Sequence, residues 1–134
     1  RLVSDWSSDV CSSDLISTYR DLIAWRRAIS LVPSVYRATE SMPDSERFGL
    51  RSQMRRSAVS IPSSFAEGYG RESTQDDVRF LCVGRGSLYE LRTQFEISVS
   101  LGYLIDDEEL AALLAETDRV LHGSIRGVER STRP

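Results

Sequence analysis

Four stretches of this sequence space their apolar residues at alternating intervals of three and four, and none alternates them at intervals of two over a useful length. Such spacing lines up one face of an α-helix. Leu22, Trp25, Ile29, Val32 and Tyr36 form the first stripe, and Leu50, Met54, Ala58, Ile61 and Phe65 the second. The third is Leu81, Gly84, Leu88, Leu91, Phe95 and Ser98, and the fourth Leu110, Leu113, Thr117, Val120 or Leu121, and Ser124. Four stripes that must leave water can do so against one another, which an all-α bundle achieves with short connections.

Punctuation residues divide the stripes. Pro33 interrupts the first, but the pattern resumes at Val35 and Tyr36, so a kink is expected there rather than a stop. The turn "MPDS" at 42–45 closes that helix, and Asp44 is placed to accept from the free N–H groups opening the next. Gly68 and Gly70 are expected to cap the second helix. Ser73 with Asp76, and Asp106 with Glu109, repeat the spacing of a capping box, and Gly102 ends the third helix. Gly84, Gly86, Ser87 and Ser98 let a neighbour approach that helix closely. The expected architecture is an antiparallel up-down-up-down four-helix bundle over residues 19–128, with helix two bent near Pro62 and a disordered tail at 129–134.

The segment "SAVSIPSSFAEGYG" carries a second periodicity. Arg56, Ser60, Ser63 and Glu67 fall at steps of four, three and four beside the apolar stripe of helix two. Pro62 deprives the Ala58 carbonyl of its helical donor, and Ser60 and Ser63 flank that point, where a hydroxyl or water would satisfy it. The polar stripe reads as a network between helices or subunits, as a solvated surface, or as a ligand site.

The N-terminus stands apart. "DWSSDVCSSDL", Asp5 to Leu15, has no helical or strand period and no signal-peptide organisation. It back-translates codon by codon into a common sequencing-library adapter, so residues 1–18 are read as a non-native segment. Without residues 1–19 the formal charge moves from −3 to −1. What remains is polarised: nine arginines face five acids in residues 20–71, whereas seven face twelve in 72–134. Such halves attract one another, within a chain or between subunits, and the first also attracts phosphate.

Composition narrows the function. Hydrophobic residues at 40% and charged residues at 28% suit a globular chain, and no apolar run nears the roughly 18 residues of a membrane span. Cys11 and Cys82 are too few for a disulfide framework. The expectation is a cytoplasmic protein with no membrane partner and no small-molecule substrate. The one histidine, His122, has no second ligand at metal-binding spacing, and Cys82 lies in an apolar helix where a thiol is commonplace. "GYGR" and "GRGS" follow no strand and do not read as phosphate loops. The sequence therefore predicts no catalytic, cofactor-binding or metal-ligating residues. Arg47, Arg51 and Arg55 share one face of helix two, with Arg56 adjacent and Arg26 and Arg27 on helix one. They are candidates for nucleic-acid phosphates or for the acidic half of a neighbouring subunit.

Longer segments carry a resemblance. "YRDLIAW" at 19–25, "ERFGLRSQMRRSAVSIPSSFAEGYGR" at 46–71, "FLCVGRGSLYELRTQ" at 80–94 and "LGYL" at 101–104 resemble the 23S rRNA intervening-sequence proteins. The resemblance runs from Tyr19 to about Val128. It implies a small up-down bundle that assembles as a homopentamer and has no established catalytic activity. It also implies kinship with the accessory protein of diversity-generating retroelements, whose partners are nucleic acid and a reverse transcriptase. Two features depart from the family pattern: Ser64-Phe65 stands where Asn followed by Ile is more usual, and the net charge is acidic.

Overall fold

A computed structural model describes residues 22–105 and 107–131. The region read as non-native, residues 1–18, and the capping role expected of Asp106 lie outside the described residues. Four helices account for most of what is described: α1 (Ile23–Thr39), α2 (Leu50–Gly70), α3 (Thr74–Ser100) and α4 (Glu108–Ser131), with a short 3₁₀ turn at Asp44–Glu46. Among the described residues there is no strand. α4 continues through Ser131, three residues beyond the expected end of the bundle at 128.

Packing follows chain order and closes on itself, α1 against α2, α2 against α3, α3 against α4, and α4 against α1. The registers are specific. Met54, early in α2, receives the Ser98 hydroxyl from late in α3 at 3.5 Å. Phe65 lies against Gly84, and Gly68, late in α2, lies against Phe80, early in α3. These two helices therefore run in opposite directions. α3 and α4 are tied by Arg92 to Asp118 at 2.9 Å, and α1 to α4 by Arg27 to Glu116 at 3.4 Å, an ion pair that joins the basic half of the chain to the acidic half.

The stripes of α2 and α3 form the core as read: Met54, Ala58, Ile61, Phe65, Leu81, Leu88, Leu91 and Phe95 are buried together. Each such large side chain taken from water stabilises the fold by about 1.5–3 kcal/mol. In α1 the stripe is rotated. Ala24, Ala28, Leu31, Val35 and Thr39 face inward, while Ile29 and Tyr36 stay exposed and Trp25 and Val32 pack only partly. The two alanines hold little apolar area but let α1 sit close to its neighbours. In α4, Leu110, Leu114, Thr117, Leu121 and Ile125 are buried, and Leu113 and Val120 flank them.

Ends differ from expectation at two places. The N–H of Leu50 at the start of α2 is accepted by Glu46 Oε1 at 2.9 Å, not by Asp44, because the intervening 3₁₀ turn brings Glu46 back over the helix end. Gly68 and Gly70 both lie within α2, and the left-handed residue after it is Glu72, with φ of 58°. Gly68 is needed for packing instead, since a Cβ there would come within 2.7 Å of the Phe80 Cβ. At α4 the cap is Asp107, whose Oδ1 accepts from Glu109 N and Leu110 N at 3.0 and 3.1 Å. Ser73 caps α3 as read, accepting from Asp76 N at 3.3 Å. Gly102 ends that helix with φ of 76°, and the bonds Gly102 N to Val99 O and Tyr103 N to Ser98 O complete a Schellman motif.

Both internal prolines lie inside continuous helices, Pro33 in α1 and Pro62 in α2. The serines around Pro62 do not donate to the Ala58 carbonyl. Ser60, Ser63 and Ser64 donate to the carbonyls of Ser57, Val59 and Ser60, each at 2.8 Å, because a hydroxyl reaches back three or four residues along its own helix.

Candidate functional site

The exposed side of α2 and the adjoining edge of α1 enclose a shallow groove of about 840 Å³. Arg47, Arg51, Arg55, Arg56, Ser60 and Ser63 all line it, so six of the nine residues singled out from the sequence share one surface, whereas Arg26 and Arg27 on α1 are not among its lining. Neither is Glu67; it lies further along the exposed face and pairs with Arg71 at 3.2 Å. Tyr36, Phe48 and Val59 supply the apolar lining, and no carboxylate is among the lining residues.

The four arginines separate into two kinds. Arg55 is bonded into its own chain: its Nε donates to the hydroxyl of fully buried Thr39 at 2.9 Å, and its Nη2 donates to the Tyr36 carbonyl and to Glu40 Oε2, each at 3.2 Å. Its guanidinium also covers the Tyr36 ring at 4.6 Å. Arg51 donates to the Met42 carbonyl and approaches Asp44 at 4.0 Å, and its Nε is buried without a partner. The last carbonyls of a helix carry partial negative charge and lack intrahelical donors. Arg55 answers that need at the Tyr36 carbonyl, holding α1 to α2, while Arg51 ties α2 to the Met42 carbonyl in the turn that follows α1.

Arg47 and Arg56 are exposed, and no ion pair engages either among the described residues. Arg47 lies 5.4 Å from the ring centroid of Phe48, its neighbour in the turn before α2. Phe48 itself is 87% exposed. The groove thus presents two uncompensated cations, an open aromatic ring and serine hydroxyls. Phosphate oxygens or the carboxylates of another protein surface suit that arrangement. Sequence reasoning missed Phe48, Tyr36 and Val59 as part of the site, although "ERFGL" places a bulky aromatic directly between arginine and glycine in a turn.

The side chains considered for chemistry are engaged separately. Cys82 is half-buried and contacts the Arg85 guanidinium at 3.8 Å. His122 Nδ1 lies 3.1 Å from both the carbonyl and a carboxylate oxygen of Asp118, one turn earlier on α4. Asp118 also accepts from the Tyr89 hydroxyl at 3.2 Å and from Arg92, gathering four side chains at the α3–α4 seam that the sequence did not bring together. Partial desolvation, and next the Asp118 carboxylate, push the Tyr89 hydroxyl above its ordinary value. Among the described residues no group of three or more His, Cys, Asp or Glu is placed to hold a metal ion, and no helix is long and apolar enough to cross a membrane.

A family model described as 23S rRNA-intervening sequence protein matches residues 20–123 of the chain. No curated protein matches it.

Proposed function

From the premise that the chain belongs to the 23S rRNA-intervening sequence protein family, we propose that it is a non-catalytic, homo-oligomeric bundle that holds nucleic acid through the arginine groove of α2. The observation that carries this reading is the lining itself: four arginines and no carboxylate, with Arg47 and Arg56 left without an ion-pair partner. Phosphate contacts of that kind give binding that tolerates sequence and weakens with salt. A closed ring, a pentamer by the resemblance, would repeat the groove once per subunit. Exposed apolar residues on the outer faces, Ile29 on α1 and Val83 and Ile97 on α3, give such a ring surface to bury. In this role the protein is an accessory in a complex of RNA or DNA, of the kind that contains a reverse transcriptase.

The second reading is a purely protein-binding oligomeric scaffold, with the groove covered by another subunit. Val59 on the groove floor favours it, being 41% exposed on a helix whose inner face is already filled. Two measurements on the full chain decide. Light scattering is expected to give several times the monomer mass, and fluorescence anisotropy of a labelled oligonucleotide should show affinity falling linearly with salt on logarithmic axes. A monomer contradicts the assembly, and no binding at low salt contradicts the nucleic-acid role and leaves the scaffold.

A further inference from the structure

We propose that the groove selects single-stranded over duplex nucleic acid, with Phe48 as the platform on which one base stacks and Arg47 and Arg56 as the phosphate contacts beside it. The inference rests on the nucleic-acid reading of the groove and names the form of ligand that it takes.

The two aromatic residues of the groove are not equivalent. Tyr36 is covered by the Arg55 guanidinium at 4.6 Å, and Arg55 is fixed there by the buried Thr39 hydroxyl. Phe48 stands 87% exposed on the turn between the 3₁₀ segment and α2, where side chains of the core do not reach it. Its nearest cation, Arg47, lies over the ring at 5.4 Å and has no carboxylate to hold it elsewhere. A flat apolar ring beside a free guanidinium matches a nucleotide whose base and phosphate are both accessible. Every base has a π-face, so stacking on phenylalanine tolerates sequence. In a duplex those faces are covered by neighbouring base pairs, and a base must first be taken out of the stack to meet Phe48. Duplex therefore engages only the arginines, while an unpaired strand engages arginines and ring together. Ser52, also on the groove wall, adds a hydroxyl that suits phosphate or sugar oxygens.

The test uses the full chain and a labelled mixed-sequence oligonucleotide of about 16 nucleotides, the upper end of single-strand site sizes, alone and annealed to its complement. The parent is expected to bind the single strand more tightly. Phe48→Ala should weaken single-strand binding by about 5- to 150-fold, the range for losing one stacked base, while duplex affinity, helicity and mass stay as in the parent. Phe48→Leu, which keeps apolar area but has no π-face, should lose most of the same preference, and Phe48→Trp should keep it. Equal affinity for the two forms, or no effect of Phe48→Ala, overturns the inference and leaves the arginine groove standing. Absence of binding to either form at low salt overturns the groove reading and the inference with it. A fall in mass for Phe48→Ala that Phe48→Leu restores makes the ring a contact with a second copy and likewise overturns the proposal.

Discussion

Truncating Arg55 should destabilise the bundle although the side chain sits on a surface groove. Its Nε fills the acceptor position of Thr39, whose own proton goes to the Val35 carbonyl at 2.8 Å. Thr39 is fully buried, so Arg55→Ala strands a polar oxygen at a cost of about 1–3 kcal/mol. The Glu40 pair adds little, since Glu40 is largely exposed and exposed pairs contribute about 0–1 kcal/mol. Stacking on Tyr36 adds about 0.5–1 kcal/mol. Water reaching the vacated groove offsets part of the loss, which leaves a net cost of about 2–3 kcal/mol. For a domain of this size each 1 kcal/mol moves the melting temperature by about 4 °C. Thermal melts of the parent, Arg55→Ala, Thr39→Val and the double variant, at fixed protein concentration, form a double-mutant cycle. Arg55→Ala should melt about 8–12 °C below the parent, and the same truncation in the Thr39→Val background should cost at least about 1 kcal/mol less, because no acceptor is then stranded. Additive effects, or a parent-like melting temperature for Arg55→Ala, would refute the assignment of Arg55 as a staple between α1 and α2.

Two further outcomes follow from the packing and the seam. Gly84→Ala would put a methyl 3.0 and 3.1 Å from Cδ1 and Cζ of the buried Phe65 ring and closer still to Cε1, whereas Gly86→Ala on the same helix meets open space. Both gain about 1 kcal/mol of helix propensity, but only the first overpacks the core, so Gly86→Ala should be the more stable of the two by about 1–3 kcal/mol in denaturant melts. Tyr89 is held with its proton in the folded state, so the stability it contributes is complete below pH 10.0 and is lost as pH rises through its raised folded value. Tyr89→Phe should therefore flatten the alkaline limb of stability against pH, and an unchanged limb would show that the Asp118 contact does not hold the hydroxyl.

What was legible in the sequence is what depends on neighbours along the chain. The α3 stripe, its Ser73 cap and its Gly102 terminus could be read because each is a local pattern, and the glycine within the stripe announced the close approach that Phe65 makes at Gly84. The α1 face was misread because two stripes overlap there. Trp25, Ile29, Val32 and Tyr36 outweigh Ala24, Ala28, Leu31 and Val35 in bulk, yet the small set is the one that is buried and lets helices approach. Bulk signals burial in a sequence, whereas closeness decides it in a bundle.

The groove was half legible for a related reason. Spacing by fours predicts Arg47, Arg51 and Arg55 on one face of helix two; Arg47 lies instead in the turn before α2, which starts at Leu50, yet it lines one groove with Arg51, Arg55, Arg56 and the serines. Which of these arginines are spoken for depends on the Tyr36 carbonyl in the last turn of α1, on the Met42 carbonyl in the turn after it and on the buried Thr39 hydroxyl, none of which helical spacing reports. Caps showed the same limit on a smaller scale. Asp44 and Glu46 are both plausible acceptors by type, and only the 3₁₀ turn between them decides that Glu46 reaches Leu50.

The central claim is a division of labour, with Arg51 and Arg55 tying helices together and Arg47 and Arg56 left for a polyanion. Salt-dependent binding of an Arg47→Ala, Arg56→Ala double variant tests it most directly. Each phosphate contact contributes about −0.7 to the slope of log affinity against log salt for a single strand. The account predicts that the double variant flattens the parent slope by about 1.4 for every subunit the strand touches, with melting temperature and assembly mass unchanged. An unchanged slope, or dissociation of the assembly, would contradict it.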